Sequence, residues 1–176
     1  MTQTVLDQLT CPKGFAAQVG PIDPATFRRV LGTFASGVTV VTVEYEGVYH
    51  GSTVASFCSL SLHPPLVLVC LDQNATNHAL IEQAGRFAVN ILGQDGEALS
   101  RHFASRQPDK FATVPFWLGQ TGVPLLEAAI ATLECRLVSQ FPGGDHSIFV
   151  GEVLATTVQD DAAPVLYFRS GYHQLG

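Results

Sequence analysis

A chain of 176 residues, 47% of them apolar and only 14% charged, is long enough to bury a substantial core in one domain and too apolar to stay disordered. Its formal net charge is −6 and Arg28-Arg29 is the only adjacent basic pair, which excludes the basic stripe of a nucleic-acid binder. No apolar run reaches the length of a membrane span, and the first residues lack a basic segment followed by an apolar core.

So little charge on so apolar a chain predicts that some apolar surface is covered by a partner chain. The four cysteines, Cys11, Cys58, Cys70 and Cys135, form no Cys-x-x-Cys pair, and the six histidines lack the i, i+4 spacing of a helical metal site. No metal is therefore expected. Cys70 and Cys135 sit in apolar runs and read as buried small hydrophobes. A reducing, cytoplasmic setting fits.

Residues 1–20 show no clear period and read as an N-terminal arm; 21–176 read as one domain without repeat or linker. Asp23-Pro24 starts a helix, with Asp as N-cap and Pro at the first helical position. Phe27, Val30, Leu31 and Phe34 form its apolar stripe, and Gly37 is placed to end it in a left-handed conformation. Val38 to Glu44 is β-branched and reads as a strand; Gly47 turns the chain and Val48 to Ala55 returns. Leu66 to Leu71 is apolar on both faces and so reads as a central strand. Asn74 to Asn77 offers caps for a short helix to Gln83, ended by Gly85. Arg86 to Leu92 is a fourth strand, and Gln94 to Ala104 another short helix. Ser105 to Pro124 is long for a loop, the kind that is functional or disordered. Two long strands follow, Ala131 to Gln140 and Ser147 to Val158, joined by the turn 142–145. Val165 to Phe168 is a last short strand. Six or seven mostly antiparallel strands and three short helices suit a closed barrel.

Several devices are missing: a G-x-G-x-x-G after a strand, a phosphate loop ending in Gly-Lys-Ser/Thr, a G-x-S-x-G elbow and a His-Glu-x-x-His pair. What remains is Gly51 to Cys70, a strand that becomes a hydroxyl-rich bend with Thr53, Ser56, Ser59 and Ser61, halts at Pro64-Pro65 and resumes. It reads either as a Ser-rich turn between core strands or as a wrap for a polar, anionic ligand. Four residues carry two readings each. His146 is a solvated turn residue or a ligand contact titrating near neutrality. Arg169 and Arg86 are charges at strand ends or phosphate partners. Trp117 is a lid aromatic or a hydrophobic plug.

The segment Gly51 to Cys70 closely resembles the signature of the short-chain flavin reductases, reductase components of two-component flavin-dependent monooxygenases. The resemblance runs from Phe27 to Tyr172. It implies a mostly β fold with short helices, a split β-barrel that binds FMN, and a homodimer. Ser36, Gly37, Val38 and Thr39 resemble the start of the first barrel strand, against the flavin. Thr53, Val54, Ala55 and Ser56 are similar to the segment along the isoalloxazine edge. Cys58, Ser59, Leu60 and Ser61 resemble the part that wraps the ribityl chain and phosphate, and Arg86, Phe87 and Ala88 the strand start that closes the pocket. His146 falls on the family's Gly-Asp-His motif beside the nicotinamide, as the catalytic candidate. Tyr167, Arg169, Gly171 and Tyr172 resemble the C-terminal element lining the NADH side.

His63 stands where an acidic residue is common, and few ligand contacts are expected beyond Tyr172. The bend has no lysine, so phosphate charge must be met by backbone N–H groups, hydroxyls and Arg86. The resemblance thus implies reduction of FMN or FAD by NADH or NADPH, for a separate monooxygenase, with no nucleic acid or membrane involved. The alternatives are a reductase holding its flavin tightly for another substrate, and a flavin- or haem-binding module without turnover.

Overall fold

The computed structural model describes residues 13–14 and 20–175. Most of the arm expected over 1–20 lies outside the described residues.

Helix α1, Pro24–Leu31, begins as expected: the Asp23 carboxylate accepts from the N–H groups of Ala25 and Thr26, each at 3.0 Å. It ends earlier than expected, at Gly32 in a right-handed conformation. Gly37 is not its cap. It lies in strand β1, Ser36–Gly37, opposite Leu166, because pairing with a distant strand outweighs the local stop signal. Phe27, Val30 and Leu31 on the helix and Phe34 beyond it are exposed.

The rest of the chain is mostly strand. β2 is Thr39–Tyr45, β3 Val48–Val54, β4 Phe57–Leu62, β5 Pro65–Asp72, β6 Arg86–Leu92, β9 Ala129–Gly143 and β10 His146–Val158. They form one antiparallel sheet in the order β3-β2-β6-β9-β10-β5-β4. β3 and β4 follow each other in the chain yet end the sheet on opposite sides. The sheet rolls up until β3 meets β5, closing a barrel with one unladdered seam. Helices α2, Thr76–Ala84, and α3, Glu97–Ala104, pack on β2 and β3. Gly85, left-handed at φ 65°, ends α2 and turns the chain into β6.

β2 is buried on both faces. Val41 and Val43 join Val69, Phe87, Val89, Cys135 and Phe149 in one cluster; Val40 joins Leu92, Phe103, Leu126 and Val165 in the other. Each such buried side chain contributes about 1.5–3 kcal/mol relative to exposure. Gly151 on β10 permits the tight fit, since a Cβ there would meet the Phe87 ring at 2.6 Å.

Four elements differ from expectation. The hydroxyl-rich bend is a strand, β4, paired with β5 and bulged at Leu60; the prolines occupy only the hairpin turn and the first position of β5. β5 has a partner on each side, but only Val67, Val69 and Leu71 are buried, while Leu66, Leu68 and Cys70 on its other face are half-buried. The long loop contains a hairpin of β7, Phe116–Leu118, and β8, Pro124–Leu126, with half-exposed Trp117 opposite Leu125. Last, β1 pairs with β11, Leu166–Phe168, which pairs with the unexpected β12, Gly171–His173. No helix among the described residues is long and apolar enough to cross a membrane.

Candidate functional site

The expected site residues fall into three groups. The first is β4 and its approach. Ala55, Ser56, Cys58, Ser59 and Leu60 are exposed and Ser61 is half-buried. Because β4 ends the sheet, one row of its backbone N–H and C=O groups has no ladder partner among the described residues. The Ser56 hydroxyl donates to the Cys70 carbonyl at 2.9 Å, and that of Thr53 to the Ser100 carbonyl at 2.6 Å. Both oxygens keep lone pairs for a ligand donor. Val38, Thr39 and Val54 are buried, and Thr39 donates to the Val54 carbonyl at 2.6 Å, so their side chains belong to the core.

The second group is the small sheet. Ser36 lies opposite Tyr167, and Tyr167 opposite Tyr172, their rings edge to face at 5.3 Å. The Tyr172 hydroxyl is 2.8 Å from the hydroxyl of buried Ser100, whose carbonyl accepts from Thr53. A chain of hydrogen bonds therefore ties the tyrosine pair to β3, and Arg101 stacks over the Tyr172 ring at 4.9 Å. Arg169, at φ 47°, and Ser170, at φ 63°, form the turn that presents Gly171, with the Arg169 guanidinium over Phe168.

The third group stands apart. His146 opens β10 opposite Asp72, its Nδ1 2.8 Å from the exposed Asp145 carboxylate, which that contact holds below the usual carboxylate range. Its hydrogen bonds reach none of the residues named above. Arg86 is ion-paired with Glu44 at 2.5 Å, and Phe87 and Ala88 are fully buried. Phe87 and Ala88 therefore offer a ligand no exposed side chain, whereas the Arg86 side chain, 39% exposed, is paired through Nη2 and keeps its Nε without a partner among the described residues.

A cavity of about 640 Å³ opens beside β3, between α2 and the segment after α3. His50, Arg106 and Lys110 line it together with Asn74, Thr76 and Ser105. Asn74 and Thr76 sit in the stretch that reads as a helix cap, Arg106 and Lys110 in the long loop; nothing in the spacing of the sequence joins them to His50.

A flavin reductase like domain model matches residues 31–176 of the chain. The chain belongs to the flavin reductase-like family. Among its relatives, the reductase component of 4-nitrophenol 4-monooxygenase/4-nitrocatechol 2-monooxygenase from Rhodococcus opacus is 45% identical, over 86% of this chain and 81% of that protein. The NADH-dependent FAD reductase of Streptomyces globisporus is 46% identical, over 81% and 80%. A solved structure of the Streptomyces globisporus C-1027 NADH:FAD oxidoreductase in complex with NAD and FAD fragments superposes with a TM-score of 0.87, at 40% identity over 92% of this chain and 98% of that one. The split barrel is thus that of the flavin reductases.

The donor set along β4 suits a flavin. Open backbone amides and hydroxyls can serve the polar edge of the ring and the ribityl chain, and no bulky charge intrudes between Ser56 and Ser61. Its thiols give a simple test of exposure. Cys58 is exposed; burial raises the half-buried Cys70 thiol and pushes that of buried Cys135 up to about 12. In a Cys11→Ser flavin reductase at mildly alkaline pH, a thiol reagent should modify Cys58 fast, Cys70 slowly and Cys135 only after unfolding. Equal rates for all three would contradict these burials.

Proposed function

We propose that this chain is an NAD(P)H:flavin oxidoreductase that passes a hydride from NADH to FMN or FAD and supplies the reduced flavin to a separate flavin-dependent monooxygenase. One observation carries the reading: in a chain of the flavin reductase-like family, the exposed hydroxyl-bearing edge of β4 borders the seam of the barrel. NADH and flavin supply the hydride chemistry between them. The chain's part is to align the two rings, and alignment alone is worth several kcal/mol of barrier. Its lack of an acid–base constellation is consistent with that part.

Thr53, Ala55, Ser56, Cys58, Ser59, Leu60 and Ser61 are the residues to touch the flavin, with Ser36 and Gly37 beside it. Tyr167, Arg169, Gly171 and Tyr172 serve the nicotinamide side, where Ser100 holds the Tyr172 hydroxyl. His146, aligned by Asp145, orients the nicotinamide when the active assembly brings it near. That assembly is a homodimer in the cytoplasm. Support for the dimer is the apolar surface a single chain leaves open, including Leu62 at 81%, Val158 at 70% and Phe141 and Leu154 at 53% each. The scarcity of basic pairs favours NADH over NADPH.

The test is oxidation of NADH, followed by its absorbance, with FMN, with FAD and without added flavin. Turnover that rises and saturates with added flavin is expected. Turnover independent of added flavin would instead mark a tightly held prosthetic group. No turnover with any flavin, repeated with NADPH, would overturn the reading in favour of a binding module.

A further inference from the structure

A flavin or nicotinamide nucleotide carries phosphate, and β4 has no cation to meet it. Arg86 is ion-paired with Glu44 through Nη2 and lies outside the cavity beside β3. The cavity beside β3 is different. His50, Arg106 and Lys110 line it, and no Asp or Glu does, in a chain whose net charge is −6. Two acids flank it, and both are engaged with backbone: Asp72 accepts from the Asn74 N–H at 2.7 Å, Asp109 from those of Phe111 and Ala112.

The lining is built for an anion. Lys110 Nζ donates to the carbonyls of Phe103 at 2.7 Å and Gly51 at 3.2 Å, which fixes the ammonium and leaves a third N–H. Arg106 is exposed and makes no ion pair among the described residues. The nine-residue helix α2 begins in the cavity wall. Its N-cap is Ala75, which has no side-chain acceptor, so the N–H groups of Thr76 and Asn77 are left for solvent or ligand. Burial lowers both Lys110 and, together with the Lys110 charge, His50 from their ordinary values. An anion in the cavity would offset that.

We propose that this cavity is a phosphate subsite, in which Lys110, Arg106 and the N–H groups of Thr76 and Asn77 hold the phosphate of a bound nucleotide. Its volume lies within the range of sites for nucleotide-sized ligands. The inference rests on the flavin reductase reading for its two sources, the flavin phosphate and the phosphates of NADH. The flavin phosphate is the better fit, because β3 runs from the cavity wall at Ser52 directly into Thr53 and the β4 edge.

The test compares FMN, FAD and riboflavin, which has no phosphate, in the parent, Arg106→Gln and Lys110→Met. Thermal melts show whether Lys110→Met is folded, and Arg106→Gln, at an exposed position, supplies a second variant. The expected result is a rise in KM for FMN and FAD of about tenfold or more per variant, a change below about twofold for riboflavin, and an unchanged KM for NADH. Raised KM for NADH with unchanged flavin constants would retain the subsite and assign it to the nicotinamide dinucleotide. Unchanged constants for every ligand in both variants would overturn it. If the parent turns over no flavin, the functional reading fails by itself. The subsite is then judged by calorimetry with pyrophosphate: binding weakened in Arg106→Gln upholds it, and none in the parent overturns it.

Discussion

Glu134→Ala should lower stability by about 3–5 kcal/mol, with a fall in melting temperature of about 6–20 °C for a domain of this size. Glu134 lies on β9 and is 4% exposed. Its Oε1 accepts from the Gln120 N–H at 3.0 Å, its Oε2 from the Thr121 N–H at 2.7 Å and the Thr121 hydroxyl at 2.6 Å. The turn between β7 and β8 thus closes around a carboxylate, and Gly119 is required there because a Cβ would stand 2.5 Å from it. Removing the carboxylate strands three donors, each in a charge-assisted bond worth about 1.5–3 kcal/mol, part of which water restores. Glu134→Gln should recover less than half, since its amide presents a donor to donors. Urea midpoints with an unchanged slope measure the effect. A loss under about 1 kcal/mol for alanine would mean the turn holds without its clamp.

Asn90→Ala should cost a similar amount, about 3–4 kcal/mol, for a different reason. Asn90 on β6 is fully buried. Its amide donates to the Val40 carbonyl at 3.0 Å and the Thr42 hydroxyl at 3.1 Å, and its oxygen accepts from the Leu126 N–H at 2.8 Å. Thr42 in turn donates to the Pro124 carbonyl at 2.6 Å, so β8 is stitched to two barrel strands through one side chain. Alanine leaves the buried Leu126 N–H unpaired, removes the side-chain bonds to the Val40 carbonyl and Thr42 hydroxyl, and opens a small cavity. Asn90→Asp separates the terms. Burial would raise the pKa of the new carboxyl in the folded state above its unfolded value, so that variant should be most stable at acid pH and weaken as pH rises through the folded value. A flat pH profile equal to the parent's would refute the burial argument.

How much of this was legible beforehand depends on how local each signal is. β6 was readable with its observed bounds, because Gly85 ends one element and the apolar run through Phe87, Val89 and Ile91 marks the next as a strand. The β2–β3 hairpin was readable from Gly47, which takes φ 80°. β12 was not, because its turn forces Arg169 and Ser170 into left-handed conformations that neither residue type announces. Gly37 misled for the converse reason: a residue suited to a cap was recruited by β11. The site divides the same way. The hydroxyls of β4 form one continuous motif and stood out, although as a bend and not an edge strand. The basic cavity is assembled from three separate segments, and Ser100 joins Thr53 to Tyr172 through contacts that no spacing encodes.

The sheet order also bears on how the chain acquires its structure. The β2–β3, β4–β5 and β9–β10 hairpins pair neighbours in the chain and can form early. Joining them requires β6 to find both β2 and β9, and Glu152 of β10 to find Leu66 of β5, far apart in the chain. Those closures carry the loop entropy, so the barrel should belong to the slow, millisecond-to-second class of folders. Until the last of them forms, the edges of β5 and β10 are bare, which makes the rate of β5–β10 docking, more than native stability, the quantity that decides how much chain is lost to aggregation during refolding.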